Sequence, residues 1–235
     1  MGDNMFENKN TVTIAWCDNG LVDGKFAHCI ANALIECKNF DINIVNTIRV
    51  LGNQIARQRQ KVYDTWKENP TDWILWIDSD ILFDSTYIKK IIDSADENDR
   101  PVVSGLYFIS KNPESSLMQP TPAAFIDVDR YSIKPIHPIP ENEIIEIDNA
   151  GMGFVLMNKS IIEKIEKNYP NDFLFKENEE NGDNFIGEDI AFFRKLKNIQ
   201  IPIYLNTEIK LQHLKKFPFD LNYYLMYWDN IDKIK

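Results

Sequence analysis

Cysteine and histidine are both scarce in this sequence, with three residues of each among 235. Cys17, Cys29 and Cys37 are odd in number and form no CxxC pair, so neither a disulfide framework nor a structural zinc site is expected. No stretch approaches the roughly 20 apolar residues of a membrane span. Residues 1–10 are polar and show no apolar core of a signal peptide. These absences predict a soluble, cytoplasmic protein.

Internal repeats and low-complexity tracts are also missing, which excludes a solenoid or fibrous protein. Positive charge is in deficit, with a formal net charge of −10 and a pI near 4.8. Such a surface repels nucleic acid and anionic lipid, so no nucleic-acid partner is expected. An anionic substrate would need a cation or a few placed arginines. The 44% of hydrophobic residues suffice for one sizeable α/β domain.

The first half of the chain alternates between strand and helix patterns. β-branched or apolar runs predict strands, and apolar residues at helical spacing predict helices. The predicted strands are Thr11–Trp16, Ile42–Ile48, Trp73–Ile77 and Val102–Phe108; the predicted helices are Phe26–Cys37, Leu51–Trp66 and one that Ser85 caps. This order predicts an α/β fold with a mostly parallel central sheet and helices on both faces.

The second half has a less regular pattern. Lys111–Pro140 is predicted to be a loop or a set of short antiparallel strands, and Asn171–Ile186 is predicted to be a loop. The predicted strands are Phe154–Met157, Ile201–Leu205 and Glu208–His213. A capping box at Ser160–Glu163 predicts a short helix, and Glu188–Leu196 predicts another. The aromatic segment Phe217–Trp228 predicts a C-terminal helical extension over residues 217–235. Packing against the main domain is favoured for this segment over a membrane-interface helix or an acceptor-binding flap.

Asp78-Ser79-Asp80 follows the apolar run Trp73–Ile77, which has the length of a strand buried on both faces. Open α/β sheets bind ligands at the carboxyl edge of their strands. A turn at Ser79 would let both carboxylates approach one cation, and such oxygen ligands suit Mg²⁺ or Mn²⁺. An ordinary strand-end turn explains the same three residues equally well.

Four segments resemble GT-A glycosyltransferases, and they occur in that family's order between Thr11 and His213. Trp73–Asp84 resembles the family's strand ending in Asp-x-Asp. Ile147–Met157 resembles the small-residue segment that lines the sugar and acceptor pocket. Gly187–Arg194 resembles the acidic helix start that supplies the base in inverting members, and His213 matches the third metal ligand. The segments that carry the resemblance are Trp73–Asp84, Ile147–Met157, Gly187–Arg194 and His213.

The resemblance implies a GT-A fold in one domain over residues 1–216, with a nucleotide-binding half at 11–108 and an acceptor-binding half at 109–216. It implies a Mn²⁺ or Mg²⁺ ion on Asp78, Asp80 and His213, with Asp78 also able to contact the ribose. Asp189 would act as the catalytic base, with Glu188 as second choice. The residues expected to contact the nucleotide sugar are Trp16, Asp18, Asn19, Arg59, Asp78, Ser79, Gly151, Met152, Gly153 and Lys216.

Several of these residues have structural alternatives. Gly151 and Gly153 allow close ligand approach or a positive φ, but also suit a bulge or tight turn. Glu188 and Asp189 complement the dipole of a helix N-terminus whatever their chemistry. Arg59 interrupts an apolar helix face and therefore needs a partner: Asp78, the donor diphosphate, or a surface carboxylate.

The function expected from this resemblance is metal-dependent transfer of a sugar from a UDP- or GDP-sugar to a hydroxyl of a glycan or glycoconjugate, with inversion. Alternatives are a retaining transferase, a sugar nucleotidyltransferase and an inactive binding module. A nucleotidyltransferase normally carries a Gly-rich loop after its first strand, where this chain has only Asn19-Gly20. An aspartyl phosphatase would need its carboxylate pair on the first strand.

Overall fold

The computed structural model describes residues 11–110, 119–129, 132–176, 178–180, 184–215 and 221–234. The strands within these ranges are β1 Thr11–Asp18, β2 Asn43–Leu51, β3 Trp73–Ile77, β4 Ile81–Leu82, β5 Val102–Leu106, β6 Phe108–Ser110, β7 Pro120–Pro122, β8 Ala124–Asp127, β9 Ile133–Pro135, β10 Ile144–Ile147, β11 Asn149–Ala150, β12 Phe154–Asn158, β13 Asn178–Glu180, β14 Asn184–Ile186, β15 Ile203–Lys210 and β16 Gln212–His213. The helices are α1 Gly24–Glu36, α2 Ile55–Glu68, α3 Ser85–Ser94, α4 Ile161–Asn168, α5 Glu188–Asn198 and α6 Leu221–Ile234.

The central sheet has seven strands in the order β10-β15-β5-β12-β3-β1-β2. Strand β1 is parallel to β2 and β3, and β15 is parallel to β5. Strand β12 is antiparallel to both of its neighbours, and the edge strand β10 is antiparallel to β15. Most strands therefore run in one direction, which confirms the predicted fold class. A separate antiparallel sheet, β11-β8-β9, is the smaller element of the second half.

Two hydrophobic clusters cover the two faces of the sheet. The side chains of β3 alternate between them: Ile74 and Trp76 pack with residues of α2, α4 and α5. Trp73, Leu75 and Ile77 pack with residues of α1 and α3. All five side chains are buried, as the continuous apolar run predicts for a central strand.

Two predicted helix caps are wrong. Asp84, not Ser85, caps α3, because its side chain accepts a hydrogen bond from the Thr86 amide at 2.7 Å. Ser85 is the first helical residue and donates instead to Glu36. Ser160 precedes α4 without a side-chain cap, since its hydroxyl donates to the carbonyl oxygen of Glu97 at 2.9 Å. In each case the serine hydroxyl donates to a distant acceptor instead of accepting from an amide of its own helix.

Some predicted boundaries also move. Helix α2 begins at Ile55 rather than Leu51, because β2 extends to Leu51. The two strands predicted over Ile201–Leu205 and Glu208–His213 are one strand, β15, followed by the short β16. Within the predicted loop Asn171–Ile186, β13 and β14 form an antiparallel hairpin.

Helix α6 agrees with the predicted C-terminal helix. Its residues Leu221, Tyr224, Leu225 and Trp228 are 48–69% exposed. This face is therefore not buried against the rest of the described chain, and the favoured packing on the main domain is wrong for these side chains. In the part of the chain that the structure describes, no helix has the length and apolar character to cross a membrane.

Candidate active site

The residues after β3 form a turn that sends two carboxylates in different directions. The carbonyl oxygen of Asp78 accepts a hydrogen bond from the Ile81 amide at 2.9 Å, which closes a four-residue turn. Ser79 lies at the bend, as expected. Asp78 consequently faces helix α2, whereas Asp80 faces strand β16.

Strand β16 brings His213 to Asp80 by pairing antiparallel with β4. The Nε2 atom of His213 lies 3.0 Å from Oδ2 of Asp80, and its Nδ1 atom lies 2.7 Å from the carbonyl oxygen of Phe108. Because a carbonyl oxygen only accepts, Nδ1 carries a proton. Nε2 is therefore the ring nitrogen that faces Asp80: it donates to the carboxylate when it is protonated, and its lone pair can bind a cation when it is not.

A carboxylate oxygen and an imidazole lone pair that face each other suit a divalent cation. Mg²⁺ and Mn²⁺ are commonly held by one or two side chains and completed by substrate phosphates and water. The hydrogen bond from Nδ1 to a backbone carbonyl is the usual support of a ligating histidine. In the described ranges no three acidic, histidine or cysteine side chains converge, so the predicted triple of Asp78, Asp80 and His213 is not assembled. The pair Asp80 and His213 fits the ion.

Lys215 adds positive charge to this site. Its Nζ atom lies 3.1 Å from Oδ2 of Asp80, and both side chains are more than 40% exposed. Partial burial opposes ionisation of Asp80, but its contacts with His213 and Lys215 outweigh this and hold its pKa below the usual value. Asp80 is therefore an anion at neutral pH, as a metal ligand must be.

A cavity of about 900 Å³ opens beside Asp80, at the carboxyl ends of β1 and β3. Four predicted ligand contacts line it: Asp18, Asn19, Ser79 and Asp80. The other described lining residues are Cys17, Leu21, Val22, Asp23, Gly52, Asn53, Ile55, Gln58, Leu214 and Lys215. Its volume is within the range of cofactor sites.

The 900 Å³ cavity is called the donor cavity below. Asp18 lies at its rim, and hydrogen bonds from several sides hold the Asp18 carboxylate in place. It accepts from Nε and Nη2 of Arg49 at 2.6 and 2.7 Å, from Trp16 Nε1 at 3.1 Å and from the Gly20 amide at 2.8 Å. The hydrogen bond from Arg49 lowers the pKa of Asp18 against the effect of burial. Trp16 packs edge-on against Phe26 and does not line the cavity, so its predicted contact with the nucleotide sugar stays a prediction.

Arg59, which interrupts an apolar helix face, pairs with the carboxylates of Asp78 and Glu188. Its buried guanidinium lies 3.1 and 3.2 Å from the two carboxylate oxygens of Asp78, and it also bonds Glu188. Burial alone would lower the pKa of Arg59, but these carboxylates raise it, so Arg59 is charged. The arginine thus links the strand end at Asp78 to the start of α5. A partner on the surface is excluded.

Asp189 lies in the first turn of α5, next to Glu188. Its Oδ1 atom accepts from the Ile190 amide at 2.8 Å. Burial raises the pKa of Asp189 to about 6, with further elevation from Glu188 and opposition from Arg59. A carboxyl group with such a pKa suits general base catalysis near neutral pH.

Gly151 and Gly153 leave room for the side chain of Tyr107. A Cβ atom at Gly151 would lie 2.0 Å from the Tyr107 hydroxyl oxygen, and one at Gly153 would lie 2.6 Å from Cζ of the same ring. Neither glycine has a positive φ. Met152 between them is buried, and none of the three lines the donor cavity. A positive φ is therefore excluded at both glycines, and the predicted contact of Gly151, Met152 and Gly153 with the nucleotide sugar stays a prediction.

Sequence reasoning gave no site role to Arg49 and Tyr107. Arg49 could have been found from strand pairing, since it lies opposite Trp16 in the parallel pair β1–β2. Tyr107 directly follows β5, and its hydroxyl accepts a hydrogen bond from the Gly153 amide at 3.1 Å. No local pattern signals that contact across 46 residues. Lys216 lies outside the described residues.

Comparison with solved structures places this architecture among known folds. A197 from STIV matches with a TM-score of 0.54 and 21% identity, over 88% of this chain and 86% of that one. GalNAc-T7, in a structure with UDP, GalNAc and Mn²⁺, matches with a TM-score of 0.57 and 7% identity. The match covers 90% of this chain and 45% of GalNAc-T7. The predicted GT-A-like fold is confirmed.

At these identities the likeness establishes the fold alone. This chain spans less than half the length of the GalNAc-T7 chain. No protein-family model and no curated protein sequence matches this chain.

Proposed function

We propose that this chain is a glycosyltransferase that moves a sugar from a nucleotide-diphosphate sugar to an acceptor hydroxyl with inversion, in a metal-dependent reaction. The proposal is carried by one observation: a 900 Å³ cavity at the carboxyl ends of β1 and β3 is bordered by Asp80, which His213 contacts at 3.0 Å. GalNAc-T7, which shares the fold, was solved with UDP, GalNAc and Mn²⁺, the ligand classes proposed here.

The nucleoside would occupy the donor cavity. Asp18 and Asn19 border it, and the Arg49 clamp keeps Asp18 ionised and in place to accept a ribose hydroxyl. Exposed Leu21 and Val22 supply an apolar rim for the base. Lys215 is half-exposed, and its side chain is long enough for the ammonium group to leave Asp80 and contact a diphosphate oxygen instead.

Asp80 and His213 would hold the Mn²⁺ or Mg²⁺ ion. The ion would offset the negative charge of the leaving diphosphate. We assign Asp78 to Arg59 rather than to the ion, because two guanidinium hydrogen bonds already satisfy its carboxylate. Arg59 also contacts Glu188, so it orients the start of α5 relative to the donor strand.

Asp189 would take the proton from the acceptor hydroxyl as that oxygen attacks the anomeric carbon. Its pKa of about 6 leaves it deprotonated at neutral pH while it remains basic enough to accept a proton. Glu188 is less suited to this step, because Arg59 engages its carboxylate.

The test is a donor screen with UDP-, GDP- and dTDP-sugars in the presence of Mn²⁺, in which the released nucleoside diphosphate is measured. Asp80→Asn and His213→Gln should each reduce turnover by at least about a hundredfold, whereas the exposed Asp99→Asn should not. Full activity in Asp80→Asn would refute the metal site. Release of pyrophosphate from nucleoside triphosphates would instead identify a nucleotidyltransferase.

A further inference from the structure

A second cavity, of about 480 Å³, lies between the start of α2 and the segment that follows α4. Residues 53–57 line one side, and Phe173 and Lys176 line the other. Asn53 and Ile55 also border the donor cavity, so the two cavities are neighbours at the start of α2. We call this second space the acceptor cavity.

The acceptor cavity carries positive charge in an acidic protein. Arg57 and Lys176 both line it, and neither has an ion pair with any described residue. The wall contains no aspartate or glutamate among the described lining residues. Because the chain has a net charge of −10, an anion needs a local excess of positive charge in order to bind. Among the described lining residues, two cations on facing walls and no carboxylate favour a negatively charged group between them.

The wall opposite α2 is held in place before any ligand binds. The Leu174 amide donates to Oε1 of Gln60 at 2.7 Å, and the carbonyl oxygen of Phe173 accepts from Lys195 Nζ at 2.9 Å. The ring of Phe175 stacks on Phe192 of α5 at 4.4 Å. The segment is thus tied both to α2 and to α5, the helix that begins with the proposed catalytic base. Such a prebuilt wall lowers the entropy cost of binding.

Phe173 adds an apolar surface to this charged space. A partly buried aromatic ring beside two cations offers separate places for the C–H face of a sugar ring and for an acidic substituent. We propose that the acceptor cavity binds an acceptor saccharide that carries a carboxylate or a phosphate, with Arg57 and Lys176 contacting that group. This inference rests on the proposed transferase function and names the chemical class of its acceptor.

The experiment compares three probes on the full chain by ligand-observed NMR titration: glucuronic acid, glucose 6-phosphate and glucose. At least one acidic probe should bind about fivefold or more tightly than glucose, and added salt should reduce that preference. The tighter of the two acidic probes identifies the group as carboxylate or phosphate. If both acidic probes bind no better than glucose, the proposal fails.

The double variant Arg57→Gln/Lys176→Gln should lose the acidic preference. The matched control Lys61→Gln/Lys164→Gln removes the same charge from exposed sites outside this cavity and should keep the preference. Equal losses in both variants would overturn the proposal, because the effect would then come from net charge alone. Nucleotide-sugar turnover, measured in parallel, separates the two proposals. If the acidic probes bind preferentially but no turnover is seen, the acceptor cavity is supported as an anion site and the transferase function is rejected. If turnover is seen without an acidic preference, the transferase function is supported and the anion site is rejected.

Discussion

The ionised form of Asp189 destabilises the folded protein. Burial raises its pKa from the usual 3.8 to about 6, so the folded chain binds that proton more tightly than the unfolded chain does. The free energy of unfolding therefore loses a contribution as pH rises from about 4 through 6. Such a cost is typical of a functional carboxyl group.

Asp189→Asn should consequently stabilise the protein while it removes activity. The loss of charge should raise the melting temperature by several degrees at pH 8, from a gain on the order of 1–3 kcal/mol, and by less at pH 5. Turnover should fall roughly 10²–10⁴-fold. Thermal unfolding at both pH values, with Glu188→Gln as the comparison, checks this. Glu188→Gln should lower stability because it deprives the buried Arg59 of a partner; a destabilised Asp189→Asn would contradict the prediction.

Arg59 controls the proton affinity of Asp189 through its positive charge. Arg59 lowers the Asp189 pKa against burial, so Arg59→Gln should shift the acidic limb of the pH profile of kcat/KM upward from about 6. Arg59→Lys keeps the charge and should shift the limb less. The exposed Lys61→Gln on the same helix is the control. An unchanged limb in Arg59→Gln would show that the titrating base lies elsewhere.

Short elements, rather than the large ones, bring Asp80 and His213 together. Two residues of β4 and two of β16 suffice to bring His213 to Asp80, from positions 133 residues apart in the chain. The segment before β12 is another short element that brings distant residues together, because its two glycines leave room for the Tyr107 ring. Glycine is required there by close packing and not by backbone conformation.

Tyr107 packing can be tested through a paired substitution. Gly151→Ala should destabilise the protein by roughly 1–3 kcal/mol, because the new Cβ meets the Tyr107 hydroxyl. Tyr107→Phe should relieve much of that cost, since it removes the clashing oxygen. At Gly153 the new Cβ lies closest to the ring carbon Cζ, at 2.6 Å, so Tyr107→Phe should rescue Gly153→Ala much less. Urea unfolding of the single and double variants measures the coupling, and equal rescue of both glycine variants would disprove this packing account.

The whole molecule is acidic, so an anionic donor must be compensated locally. Asp80 and Lys215 border one end of the donor cavity, His213 contacts Asp80, and the buried Arg59 pairs with Asp78. A divalent cation on Asp80 and His213 would supply most of the missing positive charge. Metal and nucleotide should therefore bind cooperatively.

Ligand binding should raise the stability of the entire chain. At about 100 times Kd, a bound ligand contributes roughly 2.7 kcal/mol, which corresponds to about 5–10 °C for a chain of this size. Mn²⁺ and a nucleoside diphosphate together should raise the melting temperature by more than the sum of their separate effects. Strictly additive shifts, or an equal cooperative shift in His213→Gln, would argue against a shared site.

Sequence periodicity by itself determined the architecture. The run Trp73–Ile77 is buried on both faces, and the alternation of strands and helices yields the expected sheet, because apolar residues at a regular spacing have few ways to leave water. The helix at Glu188 and the turn at Ser79 were equally predictable, since both depend on neighbours in the chain. The roles of the site residues stay predictions.

Only the tertiary structure decided which partner each charged side chain has. Asp78 and Asp80 look equivalent in the sequence, yet one pairs with buried Arg59 and the other with His213. The side-chain partners of Ser85 and Ser160, and the packing of Gly151 and Gly153, were likewise set by residues far away in the chain. Hydrogen bonds and close packing depend on positions within a few tenths of an ångström, and a local pattern does not encode such distances between remote segments.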